Sequence, residues 1–167
     1  DIESLKKIEE KLSKSKCKEN ELYINVLKNI QEIEDSSYYA FQLASALFIN
    51  KQFSESSKVL KQAIEIYDLN DDQKARLYLD LANSSRMEGK YSQAISYTDK
   101  ALEIKPKWGE AYMLQGNTYV SGLKLCGNEF EQTTVYWIAV DCFVKASKDS
   151  KTKELAVKAI NLYSKYF

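Results

Sequence analysis

Apolar residues along this chain recur at i, i+3, i+4 and i+7, and no alternating pattern competes with that spacing. Each such stretch predicts an amphipathic helix, and the breakers between stretches divide them into pairs. Gly89-Lys90 predicts a short turn between two helices. Pro106 predicts the stop of the helix ending in Ala101-Leu102-Glu103-Ile104 and the start of the next. Asn128-Glu129-Phe130-Glu131 resembles a capping box opening a long helix to about Lys148. Residues 1–35 predict a helix pair, and 152–167 a single closing helix.

Sliding the sequence against itself shows that these pairs repeat. A shift of 34 places Tyr78 on Tyr112, Ala82 on Gly116 and Asn83 on Asn117. A shift of 38 places Leu43-Ala44 on Leu81-Ala82, Phe53 on Tyr91, and Ala63-Ile64-Glu65-Ile66 on Ala101-Leu102-Glu103-Ile104. A shift of 45 places Tyr91 on Tyr136, Ala94 on Ala139 and Lys100-Ala101 on Lys145-Ala146. The shifts differ because residues are inserted around Leu69 to Asp72 and around Ser121 to Gln132. Small residues at Ala44, Ala63, Ala82, Ala94, Gly116 and Ala139 are expected where backbones approach closely. Aromatics at Phe53, Tyr78, Tyr91, Tyr112, Tyr119 and Phe143 are expected to fill the space between helices.

These residues resemble the tetratricopeptide repeat (TPR) pattern: an aromatic, Leu-Gly and Tyr on the first helix, then Ala, an aromatic and Pro. One unit carries Tyr78, Leu81-Ala82 and Ser85, then Ala94, Thr98 and Pro106; the next carries Tyr112, Gln115-Gly116 and Tyr119, then Ala139 and Phe143. Ser85, Thr98 and Gln115 depart from the pattern. The units run over 37–74, 75–108 and 109–151, the last with its insertion, between a degenerate pair at 1–36 and the terminal helix 152–167. The insertion followed by Tyr136-Trp137 is similar to a variant found in bacterial TPR proteins of unassigned function. The resemblance implies a single all-α domain, a right-handed solenoid of about nine helices in stacked antiparallel pairs. It implies a protein or peptide partner in a concave groove lined by the first helix of each pair, and no catalysis. The alternative is an assembly subunit that uses the same faces for scaffolding.

Composition narrows the chemistry. Histidine is absent, which excludes a Ser-His or Cys-His nucleophile, an imidazole base and any His-containing zinc site. No cofactor and no metal are expected. Five Gly and one Pro in 167 residues exclude a collagen-like or Pro/Gly-rich chain, and twelve Tyr argue against disorder. Lys+Arg and Asp+Glu are both 24, where a nucleic-acid partner would call for a basic excess or face, so none is expected. No apolar run reaches the ~18 residues of a membrane span, and the expectation is a soluble chain of the cytoplasm or periplasm. Cys17, Cys126 and Cys142 show no metal or redox spacing. Cys142 lies on an apolar helix face and reads as a buried structural thiol, whereas Cys126 beside Gly127 reads as a loop residue. Trp108 and Trp137 read as packing residues.

The groove residues follow from spacing. Arg76, Leu79, Asn83 and Arg86 form one stripe that excludes the packing residues Tyr78, Leu81 and Ala82. The equivalent stripes are Tyr38, Phe41, Ser45 and Phe48 upstream, and Glu110, Met113, Asn117 and Val120 downstream. Arg76 and Arg86 are the two Arg of the chain and fall on one stripe, where they either hold a carboxylate of an acidic peptide or pair with surface acids. Some TPR modules grip a chaperone-tail carboxylate with a Lys/Asn clamp. Asn83 and Asn117 fit that pattern, but Leu79 and Met113 stand where a Lys belongs. Tyr38, Phe41 and Phe48 are either the apolar part of a groove or the surface that the N-terminal pair covers.

The terminal helix carries two apolar stripes, Leu155, Ala159, Leu162 and Tyr166 beside Ala156, Ile160, Tyr163 and Phe167. That surface is wider than one neighbouring pair covers: either the helix folds deep against 129–148 and hides both stripes, or, as expected here, the face docks on missing C-terminal sequence, a second copy or a partner. The chain opens on Asp1 and is expected to be part of a longer protein.

Overall fold

The computed structural model describes residues 1–15 and 20–166, so Cys17 and Phe167 lie outside the described residues. Nine α-helices and two short 3-10 turns make up the regular structure among the described residues, with no strand. The chain divides into two compact units, Asp1–Asp68 and Leu69–Phe167.

The first unit holds α1 (Ile2–Lys14), α2 (Glu21–Ile33), α3 (Ser37–Ile49) and α4 (Phe53–Ile66). Its core is Tyr23, Ile24 and Leu27 from α2 against Leu43, Ala46 and Leu47 from α3, with Leu12, Tyr39 and Val59 packed around them. The second helix of the degenerate N-terminal pair is therefore part of the core, while α1 covers it with partly buried residues such as Leu12. Lys6 bridges α1 to Glu34 at 2.5 Å and stands over the Tyr39 ring at 5.9 Å. The Tyr23 hydroxyl donates to Glu9 at 3.0 Å.

The second unit holds α5 (Asp71–Met87), α6 (Tyr91–Ile104), α7 (Gly109–Gly122), α8 (Glu129–Ala146) and α9 (Lys153–Tyr163). Asn70 caps α5 in a full capping box with Gln73. Asn128 caps α8 through the Glu131 amide at 2.9 Å, but the Glu131 carboxylate turns to the Gly127 amide at 2.7 Å, so only half of the expected box forms. Helix α8 stops at Ala146, two residues short of the expected Lys148. The closing helix ends at Tyr163 and passes into a 3-10 turn, Ser164–Tyr166.

The small residues sit where expected: Ala44, Ala63, Ala82, Ala94 and Ala139 are buried, as is Gly116 against the Phe143 ring. The departures from the repeat pattern compensate one another. Gln115, at the Leu position of α7, donates to Thr98 Oγ1 at 3.2 Å, and Thr98 stands at the aromatic position of α6. The same amide donates to Asp99 at 2.7 Å, and Cys142 Sγ donates to Gln115 Oε1 at 3.5 Å. A buried amide is tolerated because its hydrogen-bonding groups find partners. Ser85, the third departure, is buried and donates to Gln93 at 3.4 Å.

Candidate functional site

Each first helix must bury one side and leave another uncovered, and burial identifies the two. In α5, Leu77, Leu81 and Ser84 are buried; in α7 the same repeat positions are Ala111, Gln115 and Thr118, also buried. Adding the 45-residue shift to α7 gives Ala156, Ile160 and Tyr163 in α9, of which Ala156 is fully buried and the others half-buried. Tyr163 stacks on Phe143 and Tyr136 of α8, at ring separations of 5.8 and 5.9 Å. Thr152, which precedes α9, hydrogen-bonds the Ala146 carbonyl at 2.7 Å and lies against Gly109 at the start of α7. The closing helix thus behaves as a further first helix of the repeat.

The uncovered side of α5 and α7 holds most of the predicted stripe. Arg76, Glu110 and Asn117 are exposed, while Asn83, Arg86, Met113 and Val120 are half-buried. Leu79 is a correction: at 6% exposure it continues the buried stripe of Ala75 and Ala82, because α5 buries more than one side of its surface. It offers no side chain to a ligand.

Two carboxylates already surround Arg76. Its Nε lies 3.2 Å from Asp80 one turn on, and its Nη1 lies 3.3 Å from Glu110, the residue at its own repeat position in α7. Burial pushes the Asp80 carboxyl above its ordinary range; Arg76 pulls it back in part, and Glu110 opposes that pull. Arg86 donates to the Asn83 side chain at 3.1 Å, and its buried Nε has no hydrogen-bond partner. Of the two readings of these arginines, pairing with local acids describes Arg76, whose charge the protein itself balances. Asp80 was missed by spacing alone, although its i+4 relation to Arg76 is a readable signal.

In the first unit Tyr38 is exposed and Phe41 half-buried. Phe48 is half-buried and meets Phe53 edge-on at 5.2 Å, so it closes the turn between α3 and α4. Covering by the N-terminal pair applies to the neighbouring Tyr39 rather than to Tyr38.

Elsewhere, Trp108 is half-buried beneath Lys105 at 4.9 Å, as a packing residue should be. Trp137 is 52% exposed on α8, which corrects the packing role expected for it. Cys142 is buried, and burial pushes its thiol up to about 11. Cys126 is half-buried. Among the described residues no group of three His, Cys, Asp or Glu side chains is placed to hold a metal, and no helix is long and apolar enough to cross a membrane.

No family profile matches the chain. Its backbone matches the crystal structure of MamA with a TM-score of 0.69 and 22% identity, over 92% of this chain and 81% of that one. It also matches residues 41 to the end of MamA from Desulfovibrio magneticus RS-1, with a TM-score of 0.64 and 13% identity, over 99% and 92% of the two chains. Likeness at such identity concerns the fold. In sequence, the chain is 25% identical over 111 residues to the tetratricopeptide repeat domain-containing protein PYG7, chloroplastic, of Arabidopsis thaliana, covering 65% of this chain. The chain is of the tetratricopeptide-repeat type. A 73-residue stretch, 44% of this chain, is 32% identical to the SGT1 homolog of Oryza sativa subsp. japonica. The matches span 37% and 19% of the lengths of these two curated relatives.

Proposed function

We propose that this chain is a non-enzymatic protein-interaction module that holds a segment of a protein partner on the uncovered side of its first helices. The observation that carries this reading is the division of each first helix into a packed and an open side. Leu77/Ala111, Leu81/Gln115 and Ser84/Thr118 are buried, while Arg76/Glu110 are exposed and Asn83/Asn117 are half-buried and exposed. Arg76, Glu110 and Asn117 carry neither core packing nor a helix cap. An acidic peptide gripped by Arg76 is disfavoured because Asp80 and Glu110 already occupy that guanidinium, whereas Asn83, Met113 and Asn117 offer amide groups and a thioether to a peptide backbone and apolar side chain.

Affinity capture with matched variants tests the reading. Met113→Glu with Asn117→Lys should lose a partner that the parent chain retains, while Lys148→Glu, an exposed site on the α8–α9 connection, should keep it. Equal capture by both variants would remove the open face as the binding surface. A chain that forms a defined homo-oligomer by light scattering, dispersed by the same double substitution, would favour the assembly role instead.

A further inference from the structure

The stripe Leu155, Ala159, Leu162 and Tyr166, read from sequence as part of a surface too wide for one neighbouring pair to cover, is divided in the structure. Taking α7 to α9 by the 45-residue shift, Glu110 becomes Leu155 and Asn117 becomes Leu162, both positions of the open face, whereas Tyr166 lies past the helix and stacks on Tyr136 of α8 at 4.5 Å. The positions that would face a following second helix, equivalent to Tyr112, Gly116 and Tyr119, are Val157, Asn161 and Ser164, two of them polar. The terminal helix therefore ends the packing on a mostly polar side and turns Leu155 and Leu162, 59% and 49% exposed, to the open side.

One edge of this stripe is basic. Lys158 lies beside both leucines, three residues after Leu155 and four before Leu162, Lys165 is exposed on the 3-10 turn that follows, and residues 151–166 carry four Lys against one Glu. Lys158 meets Glu154 at 2.6 Å on the same exposed helix surface, a pair that contributes little. Lys165 stands over the Tyr166 ring at 5.3 Å and meets no carboxylate among the described residues. The α5–α7 part of the face is, by contrast, internally neutralised through Arg76, Asp80 and Glu110.

Resting on the function proposed above, we infer that α9 is the anchoring end of the binding face and takes an acidic, amphipathic segment of a partner protein, whose apolar side chains sit on Leu155 and Leu162 and whose carboxylates meet Lys158 and Lys165. Charge decides against a second copy as the occupant, since pairing two α9 faces would set lysines against lysines. The acidic recognition that one of two readings of the sequence offered to Arg76 and Arg86 belongs here, at the far end of the same face.

Three labelled 15-residue peptides provide the test: one with Leu at i, i+4 and i+7 and Glu at most other positions, one with Lys for each Glu, and one with Ser for each Leu. The Leu/Glu peptide should bind the full chain at least tenfold more tightly than either counterpart, as read by fluorescence anisotropy at low salt. Leu155→Ser with Leu162→Ser should weaken it at least tenfold, and Val144→Ser on α8 should not. Should the Leu variant fail to fold, Lys158→Glu with Lys165→Glu, both at exposed sites, should reverse the preference toward the Leu/Lys peptide. No binding of the Leu/Glu peptide, equal binding of all three, or binding indifferent to α9 would overturn the inference. So would a dimer that the Leu variant abolishes. Retained partner capture through Met113 and Asn117 alongside any of these would leave the broader function standing.

Discussion

Lys51 and Gly89 occupy the same backbone position in consecutive repeats, 38 residues apart, with φ of 62° and 75°. The turns around them share their hydrogen bonds: Gln52 N–H to Leu47 C=O and Lys90 N–H to Ser85 C=O, both at 2.9 Å, are equivalent under the same shift. This is the glycine-favouring end of a helix, where the last carbonyls are satisfied by a left-handed residue. A side chain at that φ costs about 1–2 kcal/mol. Lys51→Gly should therefore stabilise the chain by about 1 kcal/mol, and Gly89→Ala should destabilise it by a similar amount. Thermal denaturation decides: an unchanged or lower Tm for Lys51→Gly would show that the turn carries no such strain.

Gly116 lets Phe143 lie against α7. A Cβ at 116 would stand 2.5 Å from Phe143 Cε1, and Phe143 is fully buried with no room to retreat. Helix propensity favours Ala over Gly by about 1 kcal/mol, whereas overpacking costs about 1–3 kcal/mol. Packing should win, so Gly116→Ala lowers the denaturant midpoint, and adding Phe143→Leu recovers part of the loss. An Ala variant more stable than the parent would show that the α7–α8 contact gives way easily.

Gln115 and Thr98 should behave as one unit. Replacing Gln115 by Leu and Thr98 by Val, singly and together, closes a double-mutant cycle on the 3.2 Å bond. The coupling should exceed about 0.5 kcal/mol, as for residues sharing a buried network. Additive losses would mean that the two departures from the repeat pattern arose without reference to each other.

Tyr23 ties stability to alkaline pH. Burial, with help from the hydrogen bond to Glu9, pushes its hydroxyl up from 10.0 to about 12. Below pH 10 the group is neutral in both the folded and the unfolded chain, so its contribution is complete there. Between pH 10 and 12 the unfolded chain releases the proton first, and stability falls as pH rises. Tyr23→Phe should lack this component, so the stability gap between parent and variant changes across that window. A gap that stays constant with pH would contradict a raised Tyr23.

Helix number, helix order and the turn at Gly89 were legible in the sequence because they depend on local spacing and breakers, which act within a few residues. The alanines at closest approach were legible as well, since the repeat brings the same small residue to the same place. Leu79 was misread because stripe geometry gives a direction on one helix, not the number of neighbours around it. For the same reason Arg76 looked available: its partner Glu110 is 34 residues away, and only packing of α5 against α7 brings their charges to 3.3 Å.

The sequence by itself determined the repeated helix pairs, through hydrophobic period and small-residue placement. Tertiary structure alone decided where several groups find their partners. The N-terminus of α7 follows Pro106 with no side-chain cap of its own, and Asp149 from the α8–α9 connection supplies it, accepting the Gly109 amide at 3.0 Å. The Lys151 amide, and after it the Gly109 bond, hold the Asp149 carboxyl below its usual range. The direction of the Leu155–Leu162 stripe was likewise settled by which side of α9 meets α8. A periodic pattern fixes which residues share a face; only packing against a neighbour fixes which face is left open.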